Sequence, residues 1–195
     1  MPTQGQPQRV ESAARPFRID LEQIRARARE KMSDGAVTEA YTADRTRVIS
    51  VLNEALATEI VCVLRYKNHY FMARGIPSQS VAAEFLAHAN EEQGHADSIA
   101  ARIAQLGGVP NLNPEGLASR SHSEYREVSG LESMIKEDLV AERIAIETYA
   151  AIVRWLGEGD PTTRRLMEDI LKVEEEHADD LSNLLENMNG AKRDR

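Results

Sequence analysis

Two short segments of this sequence repeat the same pair of potential metal ligands. They read EEQGHAD (residues 91–97) and VEEEHAD (residues 173–179), and each contains a Glu followed three residues later by a His. The pairs are Glu92 with His95 and Glu174 with His177. Residues three apart on a helix project from one face, so each pair directs a carboxylate and an imidazole to one point. This ligand set suits iron, manganese or zinc, and no thiolate is offered.

Each pair is preceded by a helical pattern that carries a Glu within its apolar stripe. Glu59 lies in LATEI and Glu142 lies in LVAER; in both segments a Leu stands three residues before the Glu and a Tyr seven residues after it. The two halves match at an offset of about 82 residues, which indicates an internal repeat. The sequence therefore predicts two related helical hairpins in a pseudo-twofold four-helix bundle.

The bundle is expected to bring six polar side chains together in its core: Glu59, Glu92, His95, Glu142, Glu174 and His177. Ionised carboxylates cost several kcal/mol each to bury without compensation, and crowding of like charges adds to that cost. Two divalent cations would neutralise the four carboxylates. A single Glu-x-x-His is more often a solvated helix edge, but two copies, each following a Glu in an apolar stripe, predict a dinuclear metal site.

Other polar residues near these motifs are assigned simpler roles. Three acidic residues lie off the stripes and are predicted to face solvent: Glu91, Glu175 and Glu176. His69 and His88 lie on or near core faces and are predicted to be hydrogen-bonded core residues, with a supporting or metal-entry role as the alternative. His122 is predicted to be exposed. Tyr66 and Tyr149 are predicted to pack and to form hydrogen bonds, and their position leaves open a supporting role beside the metal ligands.

Helical periodicity and turn signals locate four long helices. They are predicted over about 42–74, 78–106, 129–156 and 162–188. Ser78 or Ser80 is expected to cap the second helix, and Thr162 or Thr163 the fourth. The polar connection between the second and third helices is long for a hairpin loop, so these helices are expected to run parallel. No segment alternates with the period of a strand, and the predicted fold class is all-α.

The rest of the chain flanks this bundle. Three regions are predicted: an N-terminal arm over 1–41, the bundle over 42–188 and a C-terminal tail over 189–195. The arm is expected to be disordered or loosely attached up to about residue 17 and to carry a short charged helix over 20–32. The first long helix is expected to stop at Gly75, with Pro77 just beyond it.

Composition excludes several classes of protein. The net charge of −8 argues against a nucleic-acid binder driven by bulk charge. The single cysteine, Cys62, excludes an internal disulfide framework and a Cys-based metal cluster within one chain. No apolar run resembles a signal peptide or reaches the 18 residues that could span a bilayer, so a cytoplasmic protein without a membrane partner is expected.

Four segments resemble bacterioferritins and the Dps-like proteins that carry a bacterioferritin-type di-iron centre. They are LNEALATEIVCVLRY, EEQGHADSIAARIAQLGGVPNL, DLVAERIAIETY and VEEEHADDL. The resemblance covers about residues 45–188 and fills every ligand position of this ferritin-like layout. It implies one metal held by Glu59 and His95 and a second held by Glu142 and His177. Glu92 and Glu174 would bridge the two.

The resemblance also implies an activity. Such proteins are ferroxidases that oxidise Fe(II) with dioxygen or hydrogen peroxide and store ferric mineral in homo-oligomeric cages, here of 12 or 24 chains, for iron storage and protection from oxidative stress. Two Fe ions per subunit are implied, and Mn or Zn would suit the same ligands. Haem-binding relatives carry a Met directly after the Glu of the second helix; Gln93 stands here, so no haem is expected. Relatives with a thiol function often carry a cysteine pair, whereas only Cys62 is present.

Three other functions are consistent with the sequence. Manganese catalase or a rubrerythrin-like peroxidase shares the fold, although no C-x-x-C pair is present for the second. A DNA-protecting binder could act through the arm, but residues 1–35 hold seven Arg or Lys against five Asp or Glu, so phosphate neutralisation would be weak in each chain. A multivalent cage could amplify it. The last alternative is a structural bundle without metal.

Overall fold

The computed structural model describes residues 17–30, 32–73, 75 and 78–193. Over these ranges the protein contains only helices and no strand, which confirms the predicted all-α class. The helices are α1 (Leu21–Arg27), α2 (Arg45–Met72), α3 (Gln79–Gln105), α4 (Leu117–Arg120), α5 (Leu131–Leu156) and α6 (Pro161–Arg193). Residues 1–16 of the predicted arm, Pro77 and residues 194–195 of the predicted tail lie outside the described residues.

The chain divides into two compact units, Met1–Ser33 and Asp34–Arg195. In the described part of the first unit, α1 begins after Asp20, whose carboxylate accepts a hydrogen bond from the backbone N–H of Gln23 at 3.0 Å. This helix ends at Arg27, before the predicted end at residue 32. The other five helices belong to the second unit, and no helix among the described residues has the length and apolar character needed to cross a membrane.

The start of α6 differs from the prediction. Neither Thr162 nor Thr163 caps this helix; instead the carboxylate of Asp160 accepts a hydrogen bond from the backbone N–H of Thr163 at 2.9 Å. Pro161 occupies the first helical position, where its missing N–H leaves no hydrogen bond unmade. Arg102 of α3 also donates to Asp160 at 2.8 Å, which ties the end of α3 to the start of α6. At its other end α6 continues to Arg193, five residues beyond the predicted end at 188.

The connection between α3 and α5 runs along α2. It begins beside the start of α2 at Gly108, where a Cβ atom would lie only 2.7 Å from a methyl group of Ile49, so this close approach requires a glycine. Its backbone is then hydrogen-bonded in turn by Asn53, Thr58 and Arg65. The connection therefore crosses to the opposite end of the bundle before α5 begins, and α3 and α5 run parallel, as predicted.

Buried apolar side chains form two clusters, one toward each end of the bundle. The first contains Val48, Leu52, Ala55, Leu56, Ala96, Ile99, Ile103, Leu106, Ala145, Tyr149, Ile152, Leu156, Met167 and Ile170. The second contains Tyr66, Val81, Phe85, Ala89, Met134, Ile135 and Leu181. Burying one large apolar side chain stabilises the fold by about 1.5–3 kcal/mol. Each long helix passes from one cluster to the other, and at that passage it carries the polar residues of the candidate site.

Candidate dinuclear metal site

The six predicted ligands lie together between the two apolar clusters. All are buried apart from His95, which is partly exposed: Glu59, Glu92, Glu142, Glu174, His95 and His177. One comes from α2, two from α3, one from α5 and two from α6. The convergence follows from helical geometry, because each residue stands where the apolar stripe of its helix faces the bundle axis.

The ligand atoms form two groups that share two carboxylates. The first group is Glu59, Glu92, His95 and Glu174, and the second is Glu92, Glu142, Glu174 and His177. Within each group, one ligand atom from every residue lies within 4.8 Å of the others. Glu92 and Glu174 belong to both groups, which is the position that the resemblance implied for bridging ligands.

Each group is organised around the Nδ1 atom of its imidazole. From His95 Nδ1 the distances are 3.3 Å to Glu59, 3.4 Å to Glu92 and 3.0 Å to Glu174. From His177 Nδ1 they are 3.4 Å to Glu92, 3.7 Å to Glu174 and 4.0 Å to Glu142. Two atoms bound at about 2.1 Å to one tetrahedral ion lie about 3.4 Å apart. The spacing therefore suits one metal ion beside each Nδ1.

Several buried atoms of these residues have no hydrogen-bond partner among the described residues. They are Glu59 Oε2, Glu92 Oε1, His95 Nδ1, Glu142 Oε2, both side-chain oxygens of Glu174, and His177 Nδ1. An unsatisfied buried polar group costs about 1–3 kcal/mol, and more when it is charged. All seven are atoms that bind metals, and they face one another across a short gap. The residues present therefore fit a pair of divalent metal ions.

Two tyrosines orient the outer carboxylates. Tyr149 donates a hydrogen bond to Oε1 of Glu59, and Tyr66 donates one to Oε1 of Glu142. Each tyrosine thus supports the Glu of the other hairpin, which the repeat alone did not indicate. Because each hydroxyl is hydrogen-bonded to one carboxylate oxygen, the other oxygen of that carboxylate faces an imidazole. Both tyrosine rings are fully buried, so this orientation is fixed by packing.

Burial and crowding control the protonation of the carboxylates. Burial, together with the nearby charge of Glu92, raises the pKa of Glu59 well above its usual value. Burial and the charges of Glu92 and Glu174 do the same to the pKa of Glu142. Burial would also raise the pKa of Glu174, but this carboxylate lies between two imidazoles, and their proximity lowers its pKa below the usual value.

The imidazoles hold protons strongly when no metal is present. Burial alone would lower the pKa of His95, but three carboxylates within 3.4 Å of its Nδ1 outweigh burial and raise that pKa to about 12. Burial opposes protonation of His177 too, yet the nearby carboxylates of Glu174 and Glu92 raise its pKa to about 10. A metal ion at either position must displace such a proton, because only the neutral imidazole is a ligand.

Glu91 makes a contact that sequence reasoning missed. Its Oε2 lies 2.6 Å from Nε2 of His177, the ring nitrogen on the far side from the carboxylate cluster. The Glu91 side chain is 55% exposed, as predicted, but its carboxylate points toward His177 in the core. A carboxylate on the outer nitrogen of a metal-binding His orients the ring and makes it a better ligand. Glu175 and Glu176 are exposed, as predicted.

Two of the remaining histidines are buried, as predicted. His69 Nδ1 lies 2.8 Å from Asp138, which also accepts a hydrogen bond from Arg65 at 3.0 Å, so His69 belongs to a core polar network. His88 Nδ1 lies 3.2 Å from the hydroxyl of Tyr66, and its ring stacks on His177 with 3.9 Å between ring centroids.

The prediction that His122 is exposed is wrong. Its side chain is only 24% exposed, because the ring packs against α2. Nδ1 of His122 lies 3.2 Å from the hydroxyl of Thr58, which also accepts a hydrogen bond from the His122 backbone N–H at 2.9 Å. The close course of the α3–α5 connection along α2 explains this burial.

Comparison with known proteins gives consistent matches. A family model described as the ferritin-like domain matches residues 49–191. The bacterioferritin of Desulfovibrio desulfuricans is 30% identical over 134 residues, which are 68% of this chain and 71% of that protein. A nutrient stress-induced DNA-binding protein of Nostoc is 36% identical over 140 residues, 69% of this chain and 74% of that one.

Among solved structures, the bacterioferritin-related protein from Bacteroides fragilis, a dodecameric thioferritin, superposes with a TM-score of 0.75 at 32% identity. The match covers 78% of this chain and 92% of that one. The segment matched by the family model contains all six residues of the candidate site.

Proposed function

Because the chain belongs to the ferritin-like domain family, we propose that it is a ferroxidase, which oxidises Fe(II) at the dinuclear site and stores the ferric product. The observation that carries this proposal is the set of seven buried carboxylate and imidazole atoms that face one another without hydrogen-bond partners. Relatives named bacterioferritin are consistent with an iron-storage role.

The proposed roles of the residues follow from the two groups. Glu59 and His95 hold one Fe(II), and Glu142 and His177 hold the other. Glu92 and Glu174 bind both ions and set the distance between them. Four carboxylates are hard anionic ligands that favour Fe(III) over Fe(II), so the site promotes loss of an electron from each ion. Two neighbouring Fe(II) ions together supply the two electrons that reduce one molecule of hydrogen peroxide, and dioxygen is the alternative oxidant.

A cavity beside the site provides a route for the ions. It measures about 330 Å³ and reaches from exposed acidic residues to the predicted ligands His95 and His177. Its lining also includes Glu84, Glu91, Glu176 and Asp180. Negative charges along such a cavity attract cations and raise their local concentration. Iron entry from this side therefore suits the electrostatics of the site.

We further propose that the chain assembles into a homo-oligomeric cage of 12 copies. The support is the likeness to the dodecameric Bacteroides fragilis protein at 32% identity, with 92% of that chain covered. A 24-chain cage is the other size that the sequence resemblance implied. Light scattering or analytical ultracentrifugation distinguishes masses of 12 and 24 chains directly.

The activity can be tested with metal-free protein. Fe(II) is added without oxygen, either dioxygen or hydrogen peroxide follows, and the formation of Fe(III) is recorded by absorbance. We expect oxidation faster than in protein-free buffer, nearly abolished by Glu174→Gln and unchanged by the adjacent exposed control Glu175→Gln. Oxidation no faster than in buffer would overturn the proposal. Destruction of peroxide by the manganese-loaded protein without iron would instead favour a manganese catalase.

A second candidate function is DNA protection. The specific observation is the 36% identity to a Nostoc protein named as DNA-binding. In this chain α1 carries the exposed basic residues Arg25 and Arg27, consistent with a contact to phosphates. Gel-shift assays between about 50 and 200 mM salt, with the full chain and with a chain lacking residues 1–35, test it. Binding that survives the truncation would exclude the arm.

A further inference from the structure

A second cluster of metal-binding groups lies outside the dinuclear site. Glu84 and His88 of α3 and Asp180 of α6 each offer a ligand atom within 4.8 Å of the others. The three residues line the same cavity as His177 and Glu91. His88 is 2% exposed, whereas Glu84 and Asp180 keep contact with solvent. The cluster therefore joins a buried imidazole to two carboxylates at the entrance of the cavity.

The hydrogen bonds around His88 determine which of its nitrogens carries a proton. When Glu142 is ionised, as metal binding requires, the only proton of the Tyr66 hydroxyl is donated to this carboxylate. The same hydroxyl oxygen lies 3.2 Å from Nδ1 of His88, so it accepts the proton of that nitrogen. A neutral imidazole carries a proton on one nitrogen only. Nε2 of His88 therefore presents a lone pair.

That lone pair faces two negative groups. His88 Nε2 lies 3.4 Å from a carboxylate oxygen of Glu84 and 3.9 Å from one of Asp180. Three acceptors with no donor among them repel one another unless a cation lies between them. The separations are close to the roughly 3.4 Å expected for atoms that share one tetrahedral ion. One imidazole with two carboxylates is a ligand set for Fe(II), Mn(II), Co(II) or Zn(II).

The internal repeat does not explain this cluster. The positions in α6 that correspond to Glu84 and His88 are Leu166 and Ile170, which belong to or pack against an apolar cluster. The three polar groups thus occur on one side of the bundle only, and that is the side where the cavity opens toward His177.

We propose that Glu84, His88 and Asp180 bind a third divalent transition-metal ion at the mouth of the cavity. The His88 ring stacks on the His177 ring, so an ion at this position is one side chain away from the dinuclear site. It is a holding position from which Fe(II) moves inward after the previous pair has been oxidised. The holding role rests on the proposed ferroxidase function, whereas the binding of a third ion does not.

The test uses the full chain, freed of metal, with Co(II), which dioxygen does not readily oxidise at such ligands. We expect three ions per chain by calorimetry, and anomalous diffraction should place one of them at Nε2 of His88. The double variant Glu84→Gln with Asp180→Asn should lower the affinity for the third ion by at least about tenfold and should still bind the other two ions. The control Glu175→Gln with Asp179→Asn makes the same charge change at exposed positions outside the cavity and should still bind three ions per chain.

Each result decides a different statement. Two ions per chain in the wild-type protein, or a third ion away from His88, would overturn the third site and leave the dinuclear site intact. Absence of ions from the dinuclear site would contradict the proposed function instead. For the holding role, the Glu84→Gln with Asp180→Asn variant should slow the oxidation of later Fe(II) several-fold more than it slows the oxidation of the first two Fe(II) ions. Later Fe(II) oxidised at the wild-type rate would refute that role.

Discussion

The two hairpins of the bundle supply equivalent ligands but support them differently. In the hairpin formed by α5 and α6, the outer nitrogen of His177 is held by Glu91 and its ring stacks on His88. The position in α6 that corresponds to Glu91 is Val173, which cannot hold the outer nitrogen of His95. The side chain of His177 is 3% exposed, against 13% for His95.

This difference shows how a sequence repeat can produce two unequal metal positions. His177 is oriented before a metal arrives, whereas His95 has a less enclosed ring. The proton on His95 is also held more tightly, since its pKa is raised to about 12 and that of His177 to about 10. Both effects favour metal binding beside His177. We therefore expect stepwise loading, with the first ion between Glu142 and His177.

The largest effect is expected from substitution of the two carboxylates that both metal positions share. Glu92→Gln and Glu174→Gln each remove a carboxylate that belongs to both groups, so each should lower the affinity for the second ion and the rate of Fe(II) oxidation by at least about 100-fold. Calorimetry with Co(II) and stopped-flow absorbance measure the two quantities. If one variant kept wild-type oxidation, that carboxylate would not be shared, and the two positions would be independent.

The next effect separates the halves. Glu91→Gln keeps the shape of the side chain but removes the negative charge that lies beside the outer nitrogen of His177. Binding of the ion beside His177, the tighter step, should therefore weaken by about 10–100-fold. The ion beside His95 should be affected far less. Calorimetric titration of metal-free protein resolves the two steps. Equal weakening of both would mean that Glu91 acts through the overall charge of the cavity.

The converse change would make the halves more alike. Val173→Glu introduces a carboxylate at the position that corresponds to Glu91, and it should strengthen the weaker binding step by about tenfold. The separation between the two steps in the titration should then shrink. The exposed substitution Gln93→Glu adds the same single negative charge outside the cavity and serves as the control. If that control gave the same gain, the effect would be electrostatic attraction rather than orientation.

The tyrosines give a smaller contrast. Tyr149→Phe removes one hydrogen bond, to Glu59, whereas Tyr66→Phe removes those to Glu142 and His88. A hydrogen bond to a charged group contributes about 1.5–3 kcal/mol, and one between neutral groups about 1 kcal/mol. Tyr66→Phe should therefore destabilise the metal-free protein by about 1 kcal/mol more than Tyr149→Phe. Urea unfolding of both variants measures the difference, and a larger loss for Tyr149→Phe would contradict it.

The sequence predicts which ligands share a face of one helix, but it does not predict contacts that depend on how two helices pack. Helical periodicity fixes which residues of one helix share a face, so Glu92 and His95 could be paired from their spacing alone. The contact of Glu91 with His177 depends on the rotation of α3 against α6, which spacing within one helix does not encode. The cap of α6 differs from the prediction for a local reason. The helix begins at Pro161, one residue before the predicted start, so the residue that caps it is Asp160.

The smallest effect is one in which the halves should behave alike. In the metal-free protein the pKa values of His95 and His177 lie at about 12 and 10, above the ordinary value near 6.5. A raised pKa means that the folded state binds the proton more tightly. Its contribution is complete below about pH 6.5 and is lost as the pH rises toward the folded value. The raised pKa values of Glu59 and Glu142 act in the same direction.

The melting temperature of the metal-free protein should therefore fall between pH 6.5 and 9. A fall of at least about 3 °C is expected, which corresponds to about 1 kcal/mol for a chain of this length. His95→Gln and His177→Gln should reduce that fall by similar amounts, because both pKa values lie above this range. Zinc-loaded protein should lack the fall, since the metal replaces the protons on both rings. A melting temperature that rises with pH in the metal-free protein would mean that the unfolded state binds more protons than the folded state, so that the imidazoles do not hold the protons assigned to them.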